Sequence, residues 1–509
     1  MITFISGMVI LVVGGFFYGL LVEKVFDPQK DRATPAVSMA DGVDYVEMPK
    51  WKNMLIELLN IAGTGPVLGP IQGILFGPLA FITIPIGCVI AGATHDYCVG
   101  MISMRNKGAQ MPGMVKKYLG NKTHAFYLVI MMILMVLTGV VFIYTPSDLI
   151  VRDIMGMDNS ATSVTIWIVY GLIFLYYFIA TFFPIDKIIG RVYPIFGGIL
   201  VISAVGVFIG VLLTGGKYMP ELSLATMPNH PLGQKFIPVF FITVACGIMS
   251  GFHGSQATLI SRTVKNEREG RSTFYNMMLL EGFIAMAWAA GSLVLIYKSN
   301  KSIENVMNLT GVGEYLYNAT NMVGAISRNF LGNIGGVLAI LGVIILPITS
   351  GDTAFRAVRL MLAERFNMTQ KEYSNRIKLT LAIFIPAIGI LIFAKTNANG
   401  FNLLWRYFGF TNQLVAVFAL AMATVYLNTH KKNIIVTLVP FVFYTFIVSA
   451  YILNAKLGFG LESHLGKDPN SYVISYPIAA VITIVATTSL LLYMRKNASR
   501  ILKLEEMDE

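Results

Sequence analysis

The chain has 509 residues, 55% of them hydrophobic and only 13% charged, where a typical soluble domain carries about a quarter. Apolar runs of about twenty residues recur along almost its whole length, each long enough to cross a ~30 Å hydrocarbon core, and they do not alternate; this excludes a soluble globular domain and a β-barrel. The net charge of +11 falls largely between these runs, where anionic lipid headgroups account for it and no nucleic-acid partner is required.

The predicted spans begin with 3–22, which lacks a basic leader and a small-residue cleavage site and reads as a retained helix. Span two, 54–76, holds NIAGTGPVLGP at residues 60–70. Three glycines and two prolines in eleven residues break a helix. In hydrocarbon such a break survives only where protein or a polar cavity satisfies its backbone. Span three, 78–104, contains AGATHDY, with His95 and Asp96 side by side. Neighbours on a helix point about 100° apart, so the two need not share a partner. Each is open to a proton or cation role, or to a structural hydrogen bond to a broken helix.

Spans four to six fall at 124–145, 162–182 and 193–213. Span seven, 236–258, contains a second break in CGIMSGFHGSQATLISR, centred on Ser250, Gly251, Phe252 and His253. Span eight, 273–297, places Glu281 inside the membrane, either as a brace for an unwound backbone or as a proton carrier. Span nine, 332–355, ends in LPITSGDTAFRAVR. There Thr349, Ser350, Asp352 and Thr353 offer oxygens to a hard cation, together with free carbonyls of the first break, Ala62 among them. Asp352 equally fits an i,i+4 salt bridge to Arg356. The last four spans are 377–394, 402–427, 434–453 and 473–494. In span eleven Asn412 and Gln413 are buried amides needing partners, Arg406 is placed to snorkel, and Trp405, like Trp51, reads as an interfacial anchor. Cys88, Cys98 and Cys246 read as small buried apolar side chains, with no disulfide or zinc spacing.

Most of the 38 Lys and Arg residues fall in every second connection, which puts the N-terminus outside and the C-terminus in the cytoplasm of a plasma (inner) membrane. With that topology span two runs outward and span seven inward. Residues 54–214 and 235–430 then form two inverted five-helix repeats, each opening with a broken helix, flanked by accessory regions 1–53 and 431–509. Inverted repeats with paired discontinuous helices point to a secondary transporter with a mid-membrane site. The fold class is an all-α polytopic membrane protein of about thirteen transmembrane helices, with helices two and seven discontinuous.

In order, NIAGTGPVLGP, AGATHDY, SGFHGSQATLISRTVKNEREGR, LLEGFIA, the Asp352–Arg356 segment and LLWRYFGFTNQLVAV together closely resemble the carbon starvation protein A (CstA) family of inner-membrane transporters, over about residues 59–424. The resemblance implies uptake of small carboxylate-bearing nutrients, peptides and pyruvate being those assigned to members. It also implies membership of the amino acid–polyamine–organocation superfamily and a LeuT-like 5+5 fold. The family pattern falls on Gly63, Thr64, Gly65, Pro66, His95, Asp96, Ser250, Gly251, Phe252, His253, Glu281, Asp352, Arg356, Asn412 and Gln413. In a LeuT-like fold, Thr349 and Ser350 would be the hydroxyl ligands of a sodium site.

The expectation is a secondary importer, not an enzyme. Its substrate would be bound at Gly63, Thr64, Gly65, Pro66, Ser250, Gly251, Phe252 and His253, the carboxylate held by backbone N–H groups around Thr64–Pro66 and Ser250–His253. Coupling to H⁺ or Na⁺ would run through Asp96, His95, Glu281, Asp352, Ala62, Thr349 and Ser350. No other cofactor or metal is expected; the partners are a small-molecule substrate and the lipid bilayer, with a homodimer left open. A nutrient receptor that binds without transport is the alternative, against which stand the short connections and the lack of an output domain.

Overall fold

The computed structural model describes residues 1–42, 44–180, 186–227, 230–300, 319–369, 372–397 and 399–508. Residues 181–182, the predicted end of span five, lie outside them. Among the described residues every regular element is a helix. In chain order the longer ones are α1 (Ile2–Phe26), α2 (Lys50–Ile61), α3 (Gly65–Phe76), α4 (Ala80–Arg105), α5 (Met111–Leu119), α6 (Asn121–Ile154), α7 (Val164–Ala180) and α8 (Asp186–Thr214). They continue with α9 (Phe236–Thr243), α10 (Gly251–Ile260), α11 (Glu267–Lys298), α12 (Ala319–Arg365), α13 (Tyr373–Thr396), α14 (Gly400–Thr429), α15 (Ile435–Asn454) and α16 (Ser475–Met507).

Ten of the described helices are long and apolar enough to cross a membrane, and the bent pair α2 and α3 makes an eleventh candidate. The fifth predicted span is the 17-residue α7, and the seventh is the interrupted pair α9 and α10. The broken elements lie inside the bundle: α10 packs on α2, α4 and α14, while α3 packs on α11 and α12. Lipid-length helices such as α1 and α16 keep most of their surface exposed, as expected of apolar faces meant for acyl chains rather than a core.

At the end that the charge pattern assigns to the cytoplasm, Arg105 closes α4 as a hub. Its Nε and Nη2 donate to Glu267 at 2.9 and 2.8 Å, Nη1 to the Tyr426 hydroxyl at 3.1 Å, and Nη2 also to the Asp27 carbonyl at 2.9 Å. The guanidinium lies 4.5 Å from the Phe26 ring centre. A planar fork is required for this, since lysine has no second parallel donor.

At the opposite end the chain returns over α3. The His230 ring lies 4.7 Å from that of Phe76 and its Nδ1 accepts the Leu232 N–H at 3.1 Å. Burial, with Arg406 nearby, holds the imidazole down to about 3. Because the folded value lies below the unfolded ~6.5, the unfolded chain binds the proton first, and stability falls on acidification from about pH 6.5 toward pH 3, at about 1.4 kcal/mol per pH unit. His230→Asn keeps an acceptor for Leu232 and removes the titration. Its melting temperature is expected to vary less with pH than the wild type's across that window, as differential scanning fluorimetry would measure.

Candidate functional site

Two interrupted helices meet at the centre of the bundle. In the first, α2 ends at Ile61, Ala62 leaves helical geometry (φ −83°, ψ 53°), and α3 restarts after a 50° bend. Pro66 falls in the first turn of α3, where a missing N–H costs nothing. In the second, residues 244–250 separate α9 from α10. Gly247 there has φ +92°, a left-handed conformation that glycine adopts without a steric penalty.

Glycines of the first motif divide between two tasks. Gly63 stands at the break, with Phe142 as its nearest neighbour. Gly65, Gly69 and Gly73 recur every four residues along one face of α3, and a Cβ on them would press into Cys246, the Thr243 carbonyl and Val244 respectively. From other sides Gly92 of α4 and Gly409 of α14 face the carbonyls of Ile248 and Ile242, again with no room for a Cβ. The unwound segment therefore lies in a cradle of glycines, and small-residue packing and helix breaking both operate within NIAGTGPVLGP.

Helix α14 supplies the hydrogen bonds that the unwound backbone lacks. Asn412 Oδ1 accepts from the Phe252 N–H at 2.8 Å and from Ser250 Oγ at 3.0 Å, capping α10. Gln413 Nε2 donates to the Phe241 carbonyl. Trp405 Nε1 donates to the Thr243 carbonyl at 3.0 Å. Trp405 is buried, 2% exposed, so its sequence reading as an interfacial anchor is corrected: its indole braces the break. Trp51 stays exposed. The Asn412 cap also occupies the Phe252 N–H, one of the donors expected to hold a substrate carboxylate.

Against these breaks lies a cluster of five ionisable side chains, each 1% exposed or less: Glu57, His95, Asp96, His253 and Glu281. Asp96 is its centre. One carboxylate oxygen lies 2.7 Å from His95 Nδ1 and the other 3.2 Å from His253 Nδ1. Adjacent on α4, His95 and Asp96 thus bond to each other. On its far side His253 Nε2 lies 3.5 Å from Glu281 Oε1. Glu57 of α2 is within electrostatic reach of Asp96, His253 and Glu281. Among the described residues neither oxygen of Glu57 has a hydrogen-bond partner, nor does Nε2 of His95. Three carboxyls and two imidazoles are sealed from solvent together, and charge among them carries a large desolvation cost unless it is paired.

The remaining sequence candidates have other surroundings. The Thr349 hydroxyl donates to the Ile345 and Leu346 carbonyls of its own helix at 3.1 and 2.9 Å, and Ser350 beside it is half-buried. Asp352 accepts from Thr353 at 3.0 Å and lies 3.6 Å from Arg356, the i,i+4 pair that was one of its two readings. It lies with Tyr177, Phe355 and Arg359 around a very small cavity. The Thr64 hydroxyl is buried and unpartnered among the described residues. Sequence reasoning passed over Glu57, although an acid three residues inside a predicted span is itself the signal. It also passed over the buried pair of Lys395 and Asp148, 2.7 Å apart, which joins α13 to α6.

The family model described as carbon starvation protein CstA matches residues 1–181, 150–330 and 293–450. Among relatives, the peptide transporter CstA of Campylobacter jejuni is 26% identical over 86% of this chain and 78% of its own. The pyruvate/proton symporter BtsT of Escherichia coli is 27% identical over 55% of this chain and 47% of its own. Among solved structures, a manganese transporter of Eremococcus coleocola superposes with a TM-score of 0.53 at 12% identity, covering 91% of this chain and 99% of that one; this likeness is one of fold.

Proposed function

Because the chain belongs to the carbon starvation protein CstA family, we propose that it is a proton-coupled secondary importer of small carboxylate-bearing nutrients: peptides, pyruvate or amino acids. The observation that supports this best is the Asp96 carboxylate held between two imidazoles, with Glu57 and Glu281 beside it, at the junction of both broken helices. A proton reservoir there can change occupancy when either break moves, which is what coupling requires. In this reading the chain crosses the membrane thirteen times with its N-terminus outside. Residues 54–214 and 235–430 form a LeuT-like inverted pair, and the bundle of α2, α3, α4, α9, α10 and α11 rocks against the rest.

The substrate carboxylate would rest on the Thr64 hydroxyl and on the Gly65 and Gly251 amides. The names of the relatives, one a peptide transporter and one a pyruvate/proton symporter, are consistent with such a passenger. Sodium at Thr349 and Ser350 has less behind it, since the Thr349 hydroxyl is turned to its own helix. Proteoliposomes with labelled pyruvate or dialanine would test the proposal. Accumulation should follow an imposed pH gradient and persist without Na⁺. Uptake that equilibrates but never accumulates, or that needs Na⁺ alone, would overturn it.

A further inference from the structure

His430 follows α14 at the end of the molecule that carries Arg105, and its ring meets an acceptor at each nitrogen. Nδ1 lies 2.9 Å from the Tyr426 carbonyl, and Nε2 lies 3.4 Å from Oε2 of Glu505 on α16. A carbonyl and a carboxylate can only accept, while a neutral imidazole carries a single N–H. Whichever nitrogen holds that hydrogen, the other turns a bare lone pair toward an oxygen. Only the protonated ring donates to both, and its bond to Glu505 is then charge-assisted. One proton decides whether this contact attracts or repels.

The contact closes a circuit of side chains. The Tyr118 hydroxyl of α5 donates to Oε1 of Glu505 at 2.6 Å and accepts from Nδ2 of Asn106, just past α4, at 3.0 Å. From the other side Arg105, at the end of α4, donates to the Tyr426 hydroxyl at 3.1 Å, one turn before His430. Glu505 therefore joins α16 to α5 through Tyr118, and to the end of α14 through His430.

The pair borders a cavity of about 780 Å³, and its side chains are 30% and 18% exposed, so solution protons reach the ring. Arg32, Arg105, Lys107, Lys116, Lys117 and Arg500 line the same cavity, with Tyr426 and Tyr118 nearer the pair. Tyrosine, lysine, arginine and glutamate ordinarily keep one charge state between about pH 6 and pH 8, whereas histidine changes its own. These neighbours set the field on the ring and leave the pH dependence to His430.

We propose that the end of α16 is a pH-sensitive strap, which protonation of His430 ties to α14 and deprotonation releases. Its effect on transport rests on the importer reading above: protons carried inward close the strap beside the end of α4, a helix of the moving bundle, and slow further uptake.

Hydrogen-exchange protection factors, corrected for intrinsic exchange, would be measured over residues 495–507 of the full-length chain in nanodiscs at about pH 6 and pH 8. Protection should be about threefold higher at the lower pH, the scale of a partly exposed ion pair. His430→Gln should lose this dependence, and His430→Lys, a fixed cation, should keep the higher protection at both. Glu505→Gln should also lose it, and serves if a histidine variant does not fold. Equal wild-type protection at both pH values, or an unchanged dependence in His430→Gln or Glu505→Gln, would overturn the strap. Uptake by right-side-out proteoliposomes at a constant pH difference is a separate readout. The ratio of His430→Gln to wild-type uptake should exceed about two with an interior near pH 6, and lie near one at about pH 8. A ratio near one at both would overturn the brake on uptake. A strap that responds to pH in a wild type that never accumulates substrate would uphold the strap and overturn the importer reading instead.

Discussion

Replacing Asp96 by asparagine is expected to abolish proton-driven accumulation, by about 100-fold or more. Asparagine fills the same space and can still bond one imidazole, but it removes the charge that His95 and His253 share. Breaking a buried charged network by removing one partner costs about 3–5 kcal/mol, which corresponds to two to three or more powers of ten in a coupled equilibrium. The readout is the slope of initial uptake against an imposed pH gradient, measured beside the melting temperature so that misfolding is not mistaken for lost coupling. Glu57→Gln separates the two further. Neither Glu57 oxygen has a hydrogen bond to lose, so this variant should melt at or above the wild-type temperature while losing most of its gradient dependence. Gradient-driven accumulation within about twofold of wild type in both variants would remove the cluster from the coupling mechanism.

The second large effect is steric. Gly65→Ala places a methyl group against the Cys246 side chain, where α3 crosses the unwound segment. Overpacking a tight contact costs about 1–3 kcal/mol, and here the displaced atoms belong to both breaks at once. Transport should fall at least about tenfold with a melting point several degrees lower. Cys246→Gly removes the obstructing atoms, so the double variant Gly65→Ala, Cys246→Gly should recover more than half of the loss, a coupling of about 1–3 kcal/mol in a double-mutant cycle. Gly171→Ala on α7, where a Cβ meets nothing within 4 Å, is the neutral control. Additive effects of the two substitutions would mean that the close approach is not what Gly65 provides.

Composition and loop charge were enough to read a membrane-spanning helical chain, and glycine, with proline in the first run only, located both breaks, although the second lies at 244–250 and its expected centre at Gly251–His253 is already the first turn of α10. His95, Asp96, His253 and Glu281 stood out because an ionisable group in hydrocarbon is rare. What the sequence could not supply was partnership. Nothing local links Asn412 to Phe252, 160 residues away, or turns Trp405 inward to Thr243. Glu57 stayed hidden because KWKNMLIELLNI looks like an amphipathic approach to the membrane, and only the packing of α2 on α10 and α11 shows that its acid faces inward. The spacing of Gly65, Gly69 and Gly73 was visible, but a repeat of small residues does not say what lies against it.

The Asn412 cap has a consequence for biogenesis. While the chain is being made, α10 enters the bilayer long before α14 exists, so its first turn waits without its cap and the end of α9 without the Gln413 and Trp405 bonds. The Arg105 hub waits as well, since Tyr426 emerges 321 residues after it. Pairings this distant in sequence form last. A nascent chain halted after residue 400 should therefore keep residues 244–250 open to protease or thiol reagents, Cys246 serving as a built-in reporter. Release past residue 430 should close them in one step.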